Sequence, residues 1–481
     1  MLLKNVIIRK FLSFSVGSWV SLLIAIVTTP IITRILTPED YGIYSLFLVS
    51  TNLFLLLALL GTDQMYFRFY PELKRDNHEL LRKVIVINII SFIAITILLL
   101  VFREQLSELL FGVRINNLII LLILYIAGRL VIRICLSILR MEEEGVKYSF
   151  IQAAIKLFDL IIIILLIFII SSDSYTFYIP VLSLVISNFI VVFISIYYTL
   201  KTWKMVLFDR NTKIFISYKE LIKYGFPFSL TLLITWLFQY TDRLLLKEMN
   251  GMEDVGIYSA AFKIVSILLI LHTSFNSYWI PLSYKKFEEK NNDTINFFVQ
   301  SFNIVSLITF SLGIILILCK SLLKILLGQS FYDSINIFPI LVIIPVMLIL
   351  SEVTMVGINF YKKSYLHIYI SITITLINVV GSYLLIQWIG IMGAAISTSL
   401  SYLIYFFLRT WAGNYFYKIK INYLSFTSNL LLFILLALLN SFFDPLNHII
   451  LIINSILVGT FLVINISRFY EIFSKLRGGI K

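Results

Sequence analysis

Residues 38–45 read Pro38-Glu39-Asp40-Tyr41-Gly42-Ile43-Tyr44-Ser45, and residues 252–259 read Met252-Glu253-Asp254-Val255-Gly256-Ile257-Tyr258-Ser259. Six of the eight positions are identical at an offset of 214 residues. Each copy alone is a good turn and helix start, because acidic side chains suit the first turn of a helix and Gly permits a tight bend. Its recurrence carries more. A weaker match follows, Pro71 and Lys74-Arg75 against Pro281 and Lys285-Lys286. Each copy opens the second helix of an apolar block, so the chain reads as an internal duplication.

The blocks around the motif are membrane-like. A spanning helix needs about 20 mostly apolar residues. The windows Phe11–Thr33, Tyr41–Thr62, Ser174–Leu200, Thr294–Cys319, Ile421–Phe443 and Pro445–Ser467 meet this without a charged residue. Val84–Phe102 and Ser334–Ser351 nearly do, and four spans near 117–139, 148–170, 224–247 and 255–281 carry a few charges. Ser364–Leu408 is long enough for two crossings with a hairpin near Gly390 and Gly393. The expected fold is an all-α polytopic membrane protein of about 14 transmembrane helices. It comprises two parallel six-helix lobes plus two C-terminal helices. The expected divisions are an N-terminal lobe at 1–200, a basic cytoplasmic linker at 201–223, a second lobe at 224–412, and the last two helices with a tail at 413–481.

Composition agrees. Of 481 residues 60% are hydrophobic and 14% charged, with mean hydropathy +0.96. A soluble domain carries roughly 25% charge, so a soluble enzyme, a disordered scaffold and a coiled-coil rod are excluded. The net charge of +13 reads as orientation signal on cytoplasmic loops and not as a nucleic-acid surface. With the N-terminus inside, the inner segments hold 28 Lys/Arg and the outer ones 7. Both termini are therefore expected in the cytoplasm. Lys4, Arg9 and Lys10 resemble a signal n-region, but the apolar run after them is too long for an h-region and reads as a retained first helix. Both motif copies then face outside, and the two lobes share one topology. Parallel repeats of this kind can rock about a site at their interface.

Four basic residues remain within spans: Arg129, Arg133, Lys156 and Lys263. A charge near the bilayer centre costs about 2.5–3.5 kcal/mol on insertion scales, so it should face a cavity or a partner. Arg129 and Arg133 share a helix face at i,i+4, and Lys156 and Asp159 nearly share one on the next helix. Arg129, Arg133, Lys156 and Asp159 together carry two surplus positive charges, as a structural cluster neutralised through Asp159 or as an anion-binding patch. Arg suits phosphate because its planar fork donates bidentately. Lys263 either completes that patch or pairs with Asp242 or Asp254. Asp159, Asp242 and Glu352 are the candidate ion-coupling carboxylates. Asp242-Arg243 also reads as a local ion pair, and His272 as a satisfied core histidine. Pro30, Pro227, Pro281 and Pro345 lie in or near spans and are suited to bending helices beside a cavity.

Other chemistry finds little support. Cys135 and Cys319 form no disulfide framework or metal spacing, and His78, His272, His367 and His448 are scattered. No catalytic residue, metal or cofactor is expected. Glu142-Glu143-Glu144 reads as a solvated cytoplasmic turn. There is no P-loop, so ion coupling or facilitated movement would drive any transport. A membrane-embedded glycan polymerase, ligase or acyltransferase would need a larger extramembrane loop and a catalytic constellation.

The stretch from Gly17 through Pro30-Ile31-Ile32-Thr33-Arg34-Ile35-Leu36-Thr37-Pro38-Glu39-Asp40-Tyr41-Gly42-Ile43-Tyr44 resembles the N-terminal signature of polysaccharide biosynthesis proteins of the O-antigen flippase type. Tyr224-Gly225-Phe226-Pro227-Phe228, Asp242-Arg243 and Gly256-Ile257-Tyr258-Ser259 are similar to the middle of that family, and Gly390-Ile391-Met392-Gly393-Ala394-Ala395 to its helix 11–12 hairpin. The likeness covers about residues 10–410. It implies membership of the multidrug/oligosaccharidyl-lipid/polysaccharide exporter superfamily, with two six-helix lobes around a central cavity. It further implies a flippase of the cytoplasmic (inner) membrane. The implied cargo is undecaprenyl-diphosphate-linked oligosaccharide for O-antigen, capsule or exopolysaccharide, moved by alternating access. The lipid bilayer and other polysaccharide-assembly proteins are the implied partners, and cavity cations would hold the diphosphate. A lipid II flippase and a cation-coupled multidrug exporter are the rivals within the superfamily. The surplus of intramembrane cations argues against the exporter.

Overall fold

The computed structural model describes residues 2–73, 77–170, 176–208, 217–289, 293–363, 365–443 and 447–478. Lys74-Arg75 of the weaker repeat match and residues 209–216 of the basic linker lie outside them. In chain order the first helices are α1 (Leu2–Ile35), α2 (Pro38–Leu59), α3 (Thr62–Phe69), α4 (Asn77–Val101), α5 (Arg103–Phe111), α6 (Asn116–Met141), α7 (Gly145–Ile169), α8 (Tyr178–Phe208) and α9 (Tyr218–Met249). Then come α10 (Met252–Glu288), α11 (Asp293–Leu318), α12 (Leu323–Leu326), α13 (Asp333–Leu341), α14 (Ile343–Thr354), α15 (Val356–Phe360), α16 (Tyr365–Phe416), α17 (Tyr423–Phe442) and α18 (His448–Gly478). Among the described residues there is no strand. The chain divides into two compact units, 1–237 and 238–481, and the division falls inside α9.

Among the described residues, thirteen helices are long and apolar enough to cross a membrane. The 52-residue α16 is one of them, and it is interrupted at Ile389 and Gly390, whose φ is +56°. Its two arms, counted separately, bring the crossings to fourteen, and the hairpin expected near Gly390 is this break. Helices suit a bilayer because each satisfies its own backbone hydrogen bonds. The outward faces follow the same logic. Phe168, Phe193, Leu424 and Ile466 are largely exposed, as apolar side chains are when the surrounding medium is hydrocarbon.

The duplicated motif performs the same local task twice. Thr37 caps α2 by accepting from the Asp40 N–H at 3.2 Å, Pro38 occupies the first turn, and Glu39 and Asp40 complement the helix start. Glu253 and Asp254 fill the first turn of α10, where Asn250 Nδ2 donates to Asp254 Oδ2 at 2.7 Å. Tyr44 and Tyr258, one turn further on, are both buried.

In the first unit, α1 lies so close to α7 that a Cβ on Gly17 would meet the Ser149 carbonyl oxygen at 2.4 Å. α6 meets α8 at Gly128, beside Asn188, whose Nδ2 donates to the Tyr125 carbonyl at 2.8 Å. Ile132, Leu136, Leu139, Ile151, Ala154 and Val191 form the packed core beneath these crossings. In the second unit, α13, α14, α15 and α16 bury apolar residues such as Phe338, Met347, Ile358 and Phe406, and α17 and α18 are joined by asparagine pairs. Asn429 and Asn465 exchange hydrogen bonds of 3.1 and 2.8 Å, and Asn440 and Asn454 exchange bonds of 3.0 and 3.1 Å.

Candidate functional site

The first unit contains a cavity of about 520 Å³. Its walls follow helical periodicity. Leu48, Thr51, Asn52, Leu55 and Leu59 supply one face of α2; Tyr125, Arg129, Ile132, Arg133 and Leu136 one face of α6; and Gln152, Ile155 and Lys156 one face of α7. Leu56 of α2, Ser21 of α1, Leu232 of α9, Gly61 and Asp63 complete the lining. The i,i+4 relation brings Arg129 and Arg133 to the same wall, as the spacing predicts, and α7 brings Lys156 from an adjacent one.

These cations differ in their partners. Arg129 and Lys156 are half-buried, and among the described residues neither makes a hydrogen bond or ion pair. Arg133 Nη2 donates to Asp63 Oδ2 at 2.9 Å. The pair is lopsided: the Asp63 side chain is 6% exposed and that of Arg133 48%. Among the described residues the remaining N–H groups of Arg133 make no hydrogen bond, so most of a five-donor fork stays open. With three cations and one carboxylate on its lining, the cavity is electropositive.

Asp63 owes its place to a backbone break. α2 ends at Leu60 (φ +44°) and Gly61 (φ +71°), two consecutive left-handed residues, before α3 begins. Gly61 is required twice over: its φ favours glycine, and a Cβ there would meet the Gly225 carbonyl oxygen at 2.3 Å. Beyond the break, Thr62 donates to Asn88 Oδ1 at 2.7 Å, Tyr66 is buried, and the Arg140 guanidinium sits 4.8 Å from the Phe67 ring centroid. The second Asp63 oxygen accepts from the Gln64 N–H at 3.0 Å. α3 is thus fixed to α4 and α6, and its first turn presents the carboxylate to the cavity.

The other residues singled out by sequence lie elsewhere. Asp159, one turn beyond Lys156, is buried off the cavity lining and accepts from Ser183 Oγ at 2.7 Å. Lys263 is half-buried on α10, in the second unit. Asp242 is buried in the same unit, where the Tyr258 hydroxyl and Thr398 Oγ1 (3.3 Å) donate to it. Its neighbour Arg243 is 3.8 Å away, donates to Ser259 Oγ and the Gln239 carbonyl, and stacks over Phe262 with 4.5 Å to the ring centroid. Glu352 of α14 is paired with Arg409 Nη1 of α16 at 2.9 Å, with His272 Nε2 at 3.5 Å. Arg409 also donates to Ser351 Oγ at 2.7 Å and contacts the Met355 sulfur.

Asp63 and Arg409 are the residues that sequence reasoning missed. Asp63 directly follows a charge-free window and looks like the first polar residue of a loop. Arg409 directly follows another such window and counts there as a loop cation, whereas α16 continues to Phe416 and buries it. Lys320 is a third case: it counts as an outer-loop cation but is buried and donates to the Asn440 carbonyl. Among the described residues no group of three or more His, Cys, Asp or Glu is placed to hold a metal ion.

Comparison with known proteins places this geometry in context. The family described as polysaccharide biosynthesis protein matches residues 7–287. The capsular polysaccharide biosynthesis protein CapF of Staphylococcus aureus is 23% identical over 431 residues, covering 85% of this chain and 99% of CapF. Among solved structures, the lipid II flippase MurJ in an inward closed conformation superposes with a TM-score of 0.70 at 15% identity, covering 96% of this chain and 99% of MurJ. An inward-facing MATE-family multidrug resistance transporter superposes with a TM-score of 0.63 at 15% identity, covering 84% of this chain and 97% of that one. The fold is that of these multi-pass membrane proteins.

Proposed function

The chain belongs to the polysaccharide biosynthesis protein family, and we propose that within it the protein is a flippase for undecaprenyl-diphosphate-linked oligosaccharide repeat units. The observation that carries this reading is the cavity of the first unit, with Arg129 and Lys156 on its walls and most of the Arg133 fork open. A guanidinium and an ammonium inside membrane helices, without an ion-pair partner among the described residues, are costly. A ligand phosphate offsets that cost through charge-assisted hydrogen bonds. The diphosphate docks on Arg129, Arg133 and Lys156, the sugars occupy the cavity, and the lipid tail stays in the bilayer. No covalent bond is made or broken, so the task is transport and not catalysis.

The excess of Lys/Arg on alternate loops supports insertion in the cytoplasmic membrane with both termini inside. The repeated motif supports two six-helix lobes of like topology, 1–200 and 224–412, with 413–481 appended. Lys263 is a candidate second-lobe contact for the cargo. Asp159, Asp242 and Glu352 are candidate ion-coupling carboxylates, to be separated by transport with and without sodium and proton gradients. Other polysaccharide-assembly proteins are the proposed partners. CapF, by its name, acts in capsule assembly, which favours a capsule-type glycan over lipid II.

The test is leaflet-resolved transport in proteoliposomes loaded with an undecaprenyl-diphosphate-linked oligosaccharide. Flipping by the wild type is expected, with loss of about a hundredfold in the Arg129→Ala/Lys156→Ala double variant, two charge-assisted contacts being lost. Undiminished flipping by a correctly inserted double variant overturns the reading.

A further inference from the structure

Asp63 has no place in the docking scheme above, yet it is the one carboxylate on the cavity lining. Its carboxylate is nearly fully buried, while the arginine it holds is half open. It binds Arg133 through a single contact, Nη2 to Oδ2 at 2.9 Å. The helix that carries it is anchored on both sides, by Thr62 to Asn88 and by Phe67 beneath Arg140. The carboxylate is therefore stationary, and the flexible partner is the arginine. An anion entering the cavity meets a guanidinium with most of its donors available and one edge already engaged.

We propose that Asp63 is a built-in counter-ion of the cargo site: it holds Arg133 when the cavity is empty, competes with the incoming diphosphate for it, and reclaims it when the cargo leaves. The proposal rests on the flippase reading. Arg129, Arg133 and Lys156 carry three positive charges and Asp63 one negative, so the lining keeps a surplus of two. A lipid-linked sugar diphosphate is a diester with two ionised phosphates, and it matches that surplus. Without Asp63 the lining would hold one cation more than the cargo neutralises, in a site where Coulomb energies are larger than in water. Such a site binds harder and releases more slowly, whereas a carrier must bind weakly enough to let go.

The decisive experiment uses two soluble headgroup probes on the full-length protein in nanodiscs: dimethyl phosphate, a monoanion, and P1,P2-dimethyl diphosphate, a dianion. Asp63→Asn removes one negative charge and keeps the size of the side chain. A charge acts on a dianion twice as strongly as on a monoanion, so the variant should bind dimethyl phosphate about tenfold tighter and dimethyl diphosphate about a hundredfold tighter. Flipping of the lipid-linked oligosaccharide should slow, and Asp63→Glu should restore both quantities. Asp63→Ser, which keeps an oxygen for the Gln64 N–H, gives the same readout if the Asn variant does not fold. Equal gains for the two probes, or none, overturn the counter-ion role; if the wild type still flips the lipid-linked sugar, the flippase reading stands. If the wild type flips no such lipid but the charge-dependent gain appears, the counter-ion role stands and the flippase reading falls. Absence of anion binding in the wild type and in every variant overturns the counter-ion role.

Discussion

Two arginine–carboxylate pairs of the same length sit in different surroundings. Arg133–Asp63 in the first unit and Arg409–Glu352 in the second are both 2.9 Å long. In the second both side chains are nearly sealed, at 7% and 6% exposed, and Ser351, His272 and Met355 surround them. In the first the carboxylate is sealed but the arginine is 48% exposed to a cavity that also holds Arg129 and Lys156. Pair geometry therefore says little by itself; the unspent donors and the space beside them separate a structural pair from one able to engage a ligand. Two further buried charges of the second unit, Asp242 and Lys320, are of the first kind. Asp242 accepts from Tyr258, Thr398 and the Arg243 N–H, and Lys320 donates to the Asn440 carbonyl.

The comparison can be broken by experiment. The largest effect is expected at the sealed pair. Arg409→Leu leaves Glu352 as an uncompensated buried charge, which costs about 3–5 kcal/mol, and thermal unfolding in detergent should show a strongly destabilised protein. Arg133→Leu also removes the partner of a buried carboxylate, but Asp63 shares its cavity with Arg129 and Lys156, so thermal stability should fall less than in Arg409→Leu, while flipping is reduced about tenfold or more, the scale of one charge-assisted phosphate contact. If Arg133→Leu unfolds the protein and Arg409→Leu only slows transport, the distinction is wrong.

Gly61→Ala tests the break that presents Asp63. A left-handed alanine against the Gly225 carbonyl should cost about 1–3 kcal/mol and reduce transport, because α3 shifts. A variant with wild-type stability and transport would show that the break is incidental. The smallest effect is expected at a neutral contact. Asn429→Ala removes a reciprocal amide pair between α17 and α18 and should cost about 1 kcal/mol, read as a small loss of thermal stability with transport unchanged.

Much of this was legible in the sequence, for identifiable reasons. The number of crossings followed from apolar windows, including the two arms of α16 split at Gly390. The helix-start role of the duplicated motif followed from its acidic first turns, whereas Gly42 and Gly256, expected to permit a bend, lie inside α2 and α10, and the Thr37 cap emerged only in the fold. The grouping of Arg129, Arg133 and Lys156 followed from spacing on two successive helices. The Asp242–Arg243 pair was legible as neighbours in sequence, but the counter-ions of Arg133 and Arg409 were not. Lys156 and Asp159 are three apart, which suggested a neutralising cluster, but Asp159 turns to Ser183 on α8 and the carboxylate beside the cations is Asp63. Arg409 and Lys320 looked like loop cations because each is the first charge after an apolar run, while α16 continues past Arg409 and the turn after α11 buries Lys320.

The sequence alone determined the class of the protein, its crossings and the grouping of Arg129, Arg133 and Lys156. These depend on stretches of about 20 residues, and a membrane helix satisfies its backbone internally, so local composition is enough. Only the tertiary structure decided how each charge is compensated. Arg133 meets Asp63 across 70 residues of sequence and Arg409 meets Glu352 across 57, and the pairing depends on which faces α3, α6, α14 and α16 turn to one another. Side-chain packing sets those faces, and packing is a property of the assembled fold that no single stretch of chain contains.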